Sequence, residues 1–130
     1  MYCLDTDVVI EFLRGDKKIF RKIKEVSKTQ PLFITSLSLS ELYKGAYLSS
    51  NPQKEIEKLK SLLYYLELIT ITEKTAEIFG KKYNELLHMG KMTQEFDLLN
   101  ASIALSYDLV FVTRNRKHYA NVPNLKLESW

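Results

Sequence analysis

The sequence has 130 residues, of which 45% are hydrophobic and 27% charged, so we expect one folded core and no second domain. Its net charge of +3, from 19 basic and 16 acidic residues, permits nucleic-acid binding without indicating it. One cysteine excludes a disulfide framework and a cysteine zinc site, and no stretch reaches the roughly 18 apolar residues of a membrane span. With no secretory leader pattern either, we expect a single cytoplasmic domain over residues 1–130.

The first predicted elements alternate between strand and helix. Residues 1–4 are largely apolar and predict a short buried strand, which runs directly into Asp5, Thr6 and Asp7 at the start of a helix. Asp16 is placed to cap a second helix, whose basic residues lie largely opposite its apolar stripe. That separation favours a solvated helix face over an RNA contact. A second strand is predicted over residues 32–35.

The middle of the chain predicts two further helices. Ser38 followed three residues later by Glu41 is typical of a capping box, which would put Glu41 on the first turn of a helix that carries Leu48 on its apolar side. Asn51, followed by proline, is placed to cap the next helix, whose apolar stripe is predicted to extend to Leu66.

The remaining sequence continues the alternation. Thr72 is placed to cap a long helix that Gly90 ends, and another helix is predicted from about residue 94 to 107 with Asp97 near its N-terminus. The remaining strands are predicted over residues 68–71, 109–112 and, more weakly, 125–127. This order predicts an α/β fold of three layers, in which helices cover both faces of a mostly parallel sheet of four to five strands.

Acidic side chains are predicted to converge at one edge of this sheet. The carboxyl ends of parallel strands share an edge, and a helix that leads into a parallel strand begins there too. The edge therefore receives Asp5 after strand one, Glu41 after strand two and Asp97 before strand four. Thr113 and Asn115, at the end of strand four, are expected beside them.

Three carboxylates in one cleft repel one another, and no lysine or arginine of these segments is an obvious partner. A divalent cation is the natural solution, and hard oxygen ligands select Mg²⁺ or Mn²⁺ over zinc. Such a site suits the hydrolysis of a phosphodiester bond. Each acid also has a structural explanation: Asp5 or Asp7 as a helix cap, Glu41 as part of the capping box, and Asp97 as an acid at a positive helix end.

Other functional classes have weaker support in the sequence. No phosphate-binding loop pattern is present, which argues against a nucleotide-binding loop. A phospho-accepting receiver domain needs an aspartate at the end of its third strand, where this chain has Ile71, Thr72 and Glu73. His88 and His118 lack metal-ligand spacing and are expected at the surface.

Four segments resemble a known family in order and spacing, across essentially the whole chain: LDTDVVIEFLRG, SLSLSELYKGA, FDLLNASIALSYDLVFVTRNRKHY and VPNLKLESW. They are similar to PIN-domain proteins of the VapC toxin type. The resemblance implies a PIN-like fold and a Mg²⁺- or Mn²⁺-dependent endoribonuclease that cuts RNA. It also implies a homodimer that is held inactive by a VapB-like antitoxin.

The resemblance also assigns roles to residues. Asp5, Glu41 and Asp97 match the family's metal-binding acids. Thr6, Asp7 and Thr113 match supporting positions, and Asn115 stands where many members have a fourth acid. Possible contacts to RNA phosphate are Arg14, Lys44, Arg114, Arg116 and Lys117. The change to Asn115 removes a charge, and it favours one alternative, a catalytically weak or degenerate module that binds RNA or a protein partner.

Overall fold

The computed structural model describes every residue from Met1 to Trp130, as seven helices and five strands. The strands are β1 (Tyr2–Leu4), β2 (Leu32–Thr35), β3 (Leu66–Ile69), β4 (Val110–Val112) and β5 (Lys126–Glu128). The helices are α1 (Thr6–Leu13), α2 (Lys17–Ser27), α3 (Ser36–Leu48), α4 (Pro52–Leu63), α5 (Glu73–Met89), α6 (Glu95–Ser106) and α7 (Arg116–Tyr119). No helix is both long enough and apolar enough to cross a membrane.

The five strands form one sheet in the order β3-β2-β1-β4-β5, and every neighbouring pair is parallel. β1 is central, with Leu4 in register with Ile34 of β2 and Val112 of β4. The predicted α/β class is therefore confirmed, and the weak fifth strand exists at the edge of the sheet. Because β1 is central, the residue that follows it lies in the middle of the carboxyl edge.

Helices cover both faces of the sheet and give two apolar cores. One core, with Leu4 and Ile34, packs helices α1 to α4 against the sheet, and the other, with Cys3 and Phe111, packs α5 and α6. Side chains therefore alternate between the two cores along β1, as the pleat of a strand requires. The predicted three layers are confirmed.

Local signals placed most of the helix boundaries correctly. The Asn51 side chain accepts a hydrogen bond from Lys54 N, Thr72 forms a reciprocal capping box with Thr75, and Gly90 ends α5 with φ of +66°. A positive φ favours glycine because it lacks a Cβ atom. Gly15, with φ of +88°, follows α1 for the same reason.

Three local predictions were wrong. The capping box at Ser38 does not form, because α3 begins at Ser36 and Thr35 caps it by accepting from Ser38 N at 3.0 Å. Glu41 consequently lies on the second turn of α3. Leu66 begins β3 instead of continuing α4, so this strand starts two residues earlier than predicted. Leu48 is 80% exposed at the end of α3.

Candidate active site

Asp5 is the centre of a polar cluster at the carboxyl edge of the sheet. It follows β1 directly and is only 7% exposed. One carboxylate oxygen, Oδ1, accepts from Thr6 N at 2.8 Å, and Oδ2 accepts from the Thr113 hydroxyl at 2.9 Å. Both contacts come from chain segments at the ends of neighbouring strands. The sheet therefore fixes the orientation of this carboxylate.

The electrostatic environment of Asp5 is unfavourable for a buried negative charge. Burial, and then the nearby charge of Asp7, raise the pKa of Asp5 to about 6. Neither Asp5 nor Asp7 forms an ion pair with a basic side chain. One oxygen of Asp7, Oδ1, is buried without any hydrogen-bond partner. Asp5 and Asp7 thus lie near each other, and no basic side chain forms an ion pair with either of them.

Glu41 lies on one side of Asp5. Its Oε2 atom accepts a hydrogen bond of 2.8 Å from the Thr6 hydroxyl, so Thr6 contacts Asp5 through its backbone and Glu41 through its side chain. Glu41 also lines a cavity of about 360 Å³ between α1, α3 and α4, together with Arg14 and Lys58. The capping role considered for Glu41 is excluded, because Thr35 caps this helix.

Asp97 lies on the other side of Asp5, on the first turn of α6. Its Oδ1 atom accepts from the Tyr119 hydroxyl at 3.4 Å, and its Oδ2 atom lies 3.4 Å from Nδ1 of His118. Asp97 lines a second, smaller cavity of about 200 Å³ together with Lys117 and His118. The predicted convergence therefore brings Asp5, Glu41 and Asp97 to one edge, where Glu41 and Asp97 line two different cavities.

The other predicted residues divide into two groups. Thr6 and Thr113 contact the acids directly, and Asp7 accepts from the Thr113 hydroxyl at 3.2 Å and from Arg114 N at 3.0 Å. Asn115 contributes only its backbone, which donates to the Thr113 hydroxyl at 3.0 Å. The side chain of Asn115 forms no hydrogen bond with the acids.

Sequence reasoning missed two residues of this cluster, Tyr119 and Asn100. The Tyr119 hydroxyl donates to Asp97 Oδ1 at 3.4 Å. Its pKa is raised by burial and then by the charges of Asp5 and Asp97, so the phenol keeps its proton. Tyr119 therefore contacts Asp97 and lies close enough to Asp5 to feel its charge.

Asn100 is buried beneath the cluster. Its amide nitrogen donates to the Ser38 hydroxyl at 3.0 Å and, at 3.5 Å, to Oδ1 of Asp5, while its oxygen accepts from the Thr35 hydroxyl. It lies three residues after Asp97 and so on the same side of α6. A buried amide at that spacing in an apolar helix is the sequence signal that would have found it.

Comparison with known proteins identifies the family of the chain. The family model for the PIN domain matches residues 2–124. The chain belongs to the PIN-domain family. The VapC2 ribonuclease of Rickettsia felis is 30% identical to this PIN domain, with 100% of this chain and 98% of the relative covered. The VapC1 ribonuclease of Haemophilus influenzae is 27% identical over the same shares. The predicted family resemblance is confirmed.

Solved structures give the same result for the fold. The VapBC2 complex of Rickettsia felis, bound to a DNA fragment from its promoter, contains a chain with a TM-score of 0.93 and 29% identity to this PIN domain, covering 99% of this chain and 98% of that chain. The DNA-bound VapBC complex of Salmonella typhimurium matches with a TM-score of 0.91 and 26% identity, covering 99% and 97%.

The donor set of the cluster fits a hard divalent cation. All three acids offer carboxylate oxygens, and the raised pKa of Asp5 together with the unpartnered Asp7 oxygen shows negative charge that the protein does not neutralise. No three acidic, histidine or cysteine side chains surround a single point. Mg²⁺ commonly takes only one or two protein carboxylates and completes its shell with water and substrate phosphate, so it does not require three protein ligands around one point.

Proposed function

We propose that this PIN domain is an endoribonuclease that depends on Mg²⁺ or Mn²⁺ and acts as the toxin of a toxin–antitoxin pair. The observation that carries the proposal is the acidic cluster at the sheet edge, in which Thr6 joins Glu41 to Asp5, and Tyr119 donates to Asp97 and is close enough to Asp5 for both acids to raise its pKa. The names of the full-length relatives, which are called ribonucleases, support RNA as the substrate. We expect the enzyme to act in the cytoplasm.

Asp5, Asp97 and Glu41 are the residues that would hold the metal. When bound, a divalent cation neutralises phosphate charge and lowers the pKa of an attacking water, which suits cleavage to 5′-phosphate and 3′-hydroxyl ends. Thr113, the Thr6 backbone and the Asn100 amide contact the Asp5 carboxylate, and the Tyr119 hydroxyl contacts Asp97. Tyr119 and Asn100 thus act as positioning residues beneath the acids.

A VapB-like antitoxin and a second copy of the chain are the proposed partners. Two structural neighbours that are more than 25% identical were solved as VapBC complexes, which supports an antitoxin here. Exposed apolar side chains on this molecule support protein contacts in general; they include Tyr47 and Leu48 at the end of α3, and Tyr64 after α4.

A second candidate is a catalytically weak PIN module that binds RNA or a protein without cleaving. Two observations favour it: the Asn115 side chain forms no hydrogen bond with the acids, and no three ligands surround one point. Purified protein distinguishes the two functions. We expect the wild type to cleave RNA with Mg²⁺ and to stop when the metal is chelated. Full cleavage under chelation would contradict metal dependence, and no cleavage together with no metal binding would favour the second candidate.

The site is tested by Asp97→Asn and Glu41→Gln, with the exposed acid Asp108→Asn as a matched control. Both site variants should fold and lose cleavage, while the control should retain it. In cells, expression of the wild type without its antitoxin should arrest growth, whereas expression of Asp5→Ala should not. A useful first RNA is initiator tRNA, because the Salmonella typhimurium relative, 26% identical, is named a tRNA(fMet)-specific endonuclease.

A further inference from the structure

A cavity of about 690 Å³ lies between the first half of α2 and residues Glu128 to Trp130, outside the acidic cluster. Four basic side chains form its α2 wall: Lys17, Lys18, Arg21 and Lys22. The opposite wall is the chain that follows β5. The basic run that the sequence predicts to be a solvated helix face is therefore one side of a groove.

The basic side chains of this groove outnumber its acidic side chains. None of the four basic residues forms an ion pair, and Lys22 instead places its Nζ atom 5.6 Å from the centre of the Trp130 ring. Glu25 and Glu128 are the acids in the lining, and Glu128 accepts a hydrogen bond of 3.0 Å from the Trp130 indole. The lining thus keeps an excess of positive charge.

The groove begins directly beside the candidate active site. Thr113, which binds Asp5, donates its backbone N–H to the Glu128 carbonyl at 3.0 Å. Arg114 also contacts both regions. Its backbone N donates to Asp7 in the acidic cluster, and its Nε donates to the Trp130 carbonyl at 3.3 Å. Its Nη2 donates to Asp16 at 3.3 Å. Arg114 therefore links the acidic cluster to the residues that line the groove.

We infer that this basic groove binds the phosphate backbone of the RNA strand that flanks the cleaved bond. The inference rests on the proposed function, because it needs an RNA held at the acids. Unpaired lysine and arginine side chains bind phosphates by releasing counterions, without reading sequence. The Trp130 ring is buried and packs edge-on against Tyr2 at 5.2 Å, so it offers no open face for base stacking. The groove is therefore expected to strengthen the binding of longer RNAs without selecting particular bases.

The test removes two exposed charges with the double variant Lys18→Ala and Arg21→Ala. The matched control is Lys74→Ala with Lys81→Ala, two exposed lysines of α5 on the opposite layer. Binding to a short RNA and a longer RNA is measured with metal chelated, over a range of salt concentrations. Cleavage of both RNAs is then measured with Mg²⁺, and circular dichroism checks folding.

For the longer RNA, the association constant falls as salt rises, and we expect this dependence to be weaker in the groove variant. The magnitude of the slope of log association constant against log salt should decrease by about 1.4, since each single-stranded phosphate contact contributes about 0.7. Its kcat/KM should fall roughly tenfold through KM, the loss expected when two phosphate contacts disappear. Binding and cleavage of the short RNA should remain unchanged, and the control should match the wild type for both RNAs.

Two outcomes would overturn the inference. One is an unchanged salt slope for the longer RNA in the groove variant. The other is unchanged RNA binding together with weaker binding of a VapB-like antitoxin, measured on the same variant, which would make the groove a site for an acidic protein. If the groove variant shows the predicted loss of RNA binding but the wild type cleaves neither RNA, the proposed function is refuted and the groove stays an RNA site.

Discussion

Asp5 and Asp16 occupy the same local position, since each is the aspartate that caps a helix. Asp5 accepts from Thr6 N at 2.8 Å at the start of α1, and Asp16 accepts from Ile19 N at 3.0 Å at the start of α2. Their pKa values nevertheless move in opposite directions. Burial and Asp7 raise the pKa of Asp5 to about 6, whereas the Ile19 N–H and then Arg114 lower the pKa of Asp16.

The difference distinguishes a cap whose charge stabilises the fold from an acid whose charge destabilises it. The charge of Asp16 is stabilised by the helix N-terminus, by Arg114 and by solvent. Asp5 is placed at the end of the central strand, next to another carboxylate, where its charge is destabilising without a cation. A buried acid with that environment is typical of a functional site. The following predictions test this contrast.

The largest expected effect is loss of cleavage in Asp5→Asn. Asparagine preserves the size of the side chain and the contact with Thr6 N but removes the negative charge. We therefore expect the cleavage rate to fall by more than about 100-fold. This loss is larger than is usual for a residue that only orients a metal ligand. The measurement is initial cleavage rate on RNA at saturating Mg²⁺. Asp16→Asn is the matched control and should cleave like the wild type; equal losses in the two variants would contradict the contrast.

The next effect is expected in Tyr119→Phe. The ring packs edge-on against Phe111 with centroids 4.8 Å apart, so phenylalanine should keep the fold and remove only the hydroxyl that donates to Asp97. We expect Mg²⁺ affinity to fall by about 10- to 100-fold, as for other groups that orient metal ligands. Isothermal titration of Mg²⁺ and kcat against KM for RNA measure this. A fall in thermal stability with no change in metal affinity would show a purely structural hydroxyl.

A moderate effect is expected on the stability of the metal-free protein. Between the usual aspartate pKa of 3.8 and the folded value of about 6, the folded state binds more protons than the unfolded chain. The unfolding free energy of the wild type should therefore fall as pH rises from about 4 to about 6 and stay low above it. A pKa rise of this size corresponds to roughly 2 to 3 kcal/mol.

Asp5→Asn should remove that dependence and be more stable than the wild type at pH 7 by about 1 to 3 kcal/mol when metal is chelated. Urea unfolding at a series of pH values, with chelator, measures both chains. Saturating Mg²⁺ should reverse their order, because the cation binds the folded wild type. A variant that is less stable than the wild type under chelation would show that Asp5 contributes mainly as a cap.

The smallest effect is expected at Asp16. Asp16→Ala removes a helix cap and the contact with Arg114, so the melting temperature at pH 7 should fall by a few degrees. Because the folded pKa of Asp16 is lowered, its stabilisation is present above the unfolded value near 3.8 and is lost as pH falls through the folded pKa. Thermal melts of wild type and variant should therefore converge in strong acid, the reverse of the trend for Asp5.

Much of the fold and of the site was predictable from particular residues. Apolar runs ended by acids or threonines located the strand ends at Asp5 and Thr113, and the alternation of strands with helices required a parallel sheet with those ends on one edge. Asn51, Thr72 and Gly90 located helix ends because capping depends on a few adjacent atoms.

The errors came from competition between local signals. Ser38 and Thr35 were both competent caps, and the extended backbone at the end of β2 gave the position to Thr35. Leu66 continued an apolar helical stripe, yet its pairing with Leu32 of β2 made it the first residue of a strand. In both cases the sheet, which involves distant residues, decided between alternatives that are equivalent locally.

The sequence by itself determined the order of the strands and of the six longer helices, the parallel sheet and the edge to which Asp5, Glu41 and Asp97 are brought, because periodicity and capping are local properties and chain handedness leaves few topologies. Only the tertiary structure decided that the short helix α7 brings Tyr119 to Asp97, and that the basic side of α2 faces the residues after β5 to form a groove. These contacts join segments far apart in the chain, and their positions depend on how whole layers pack.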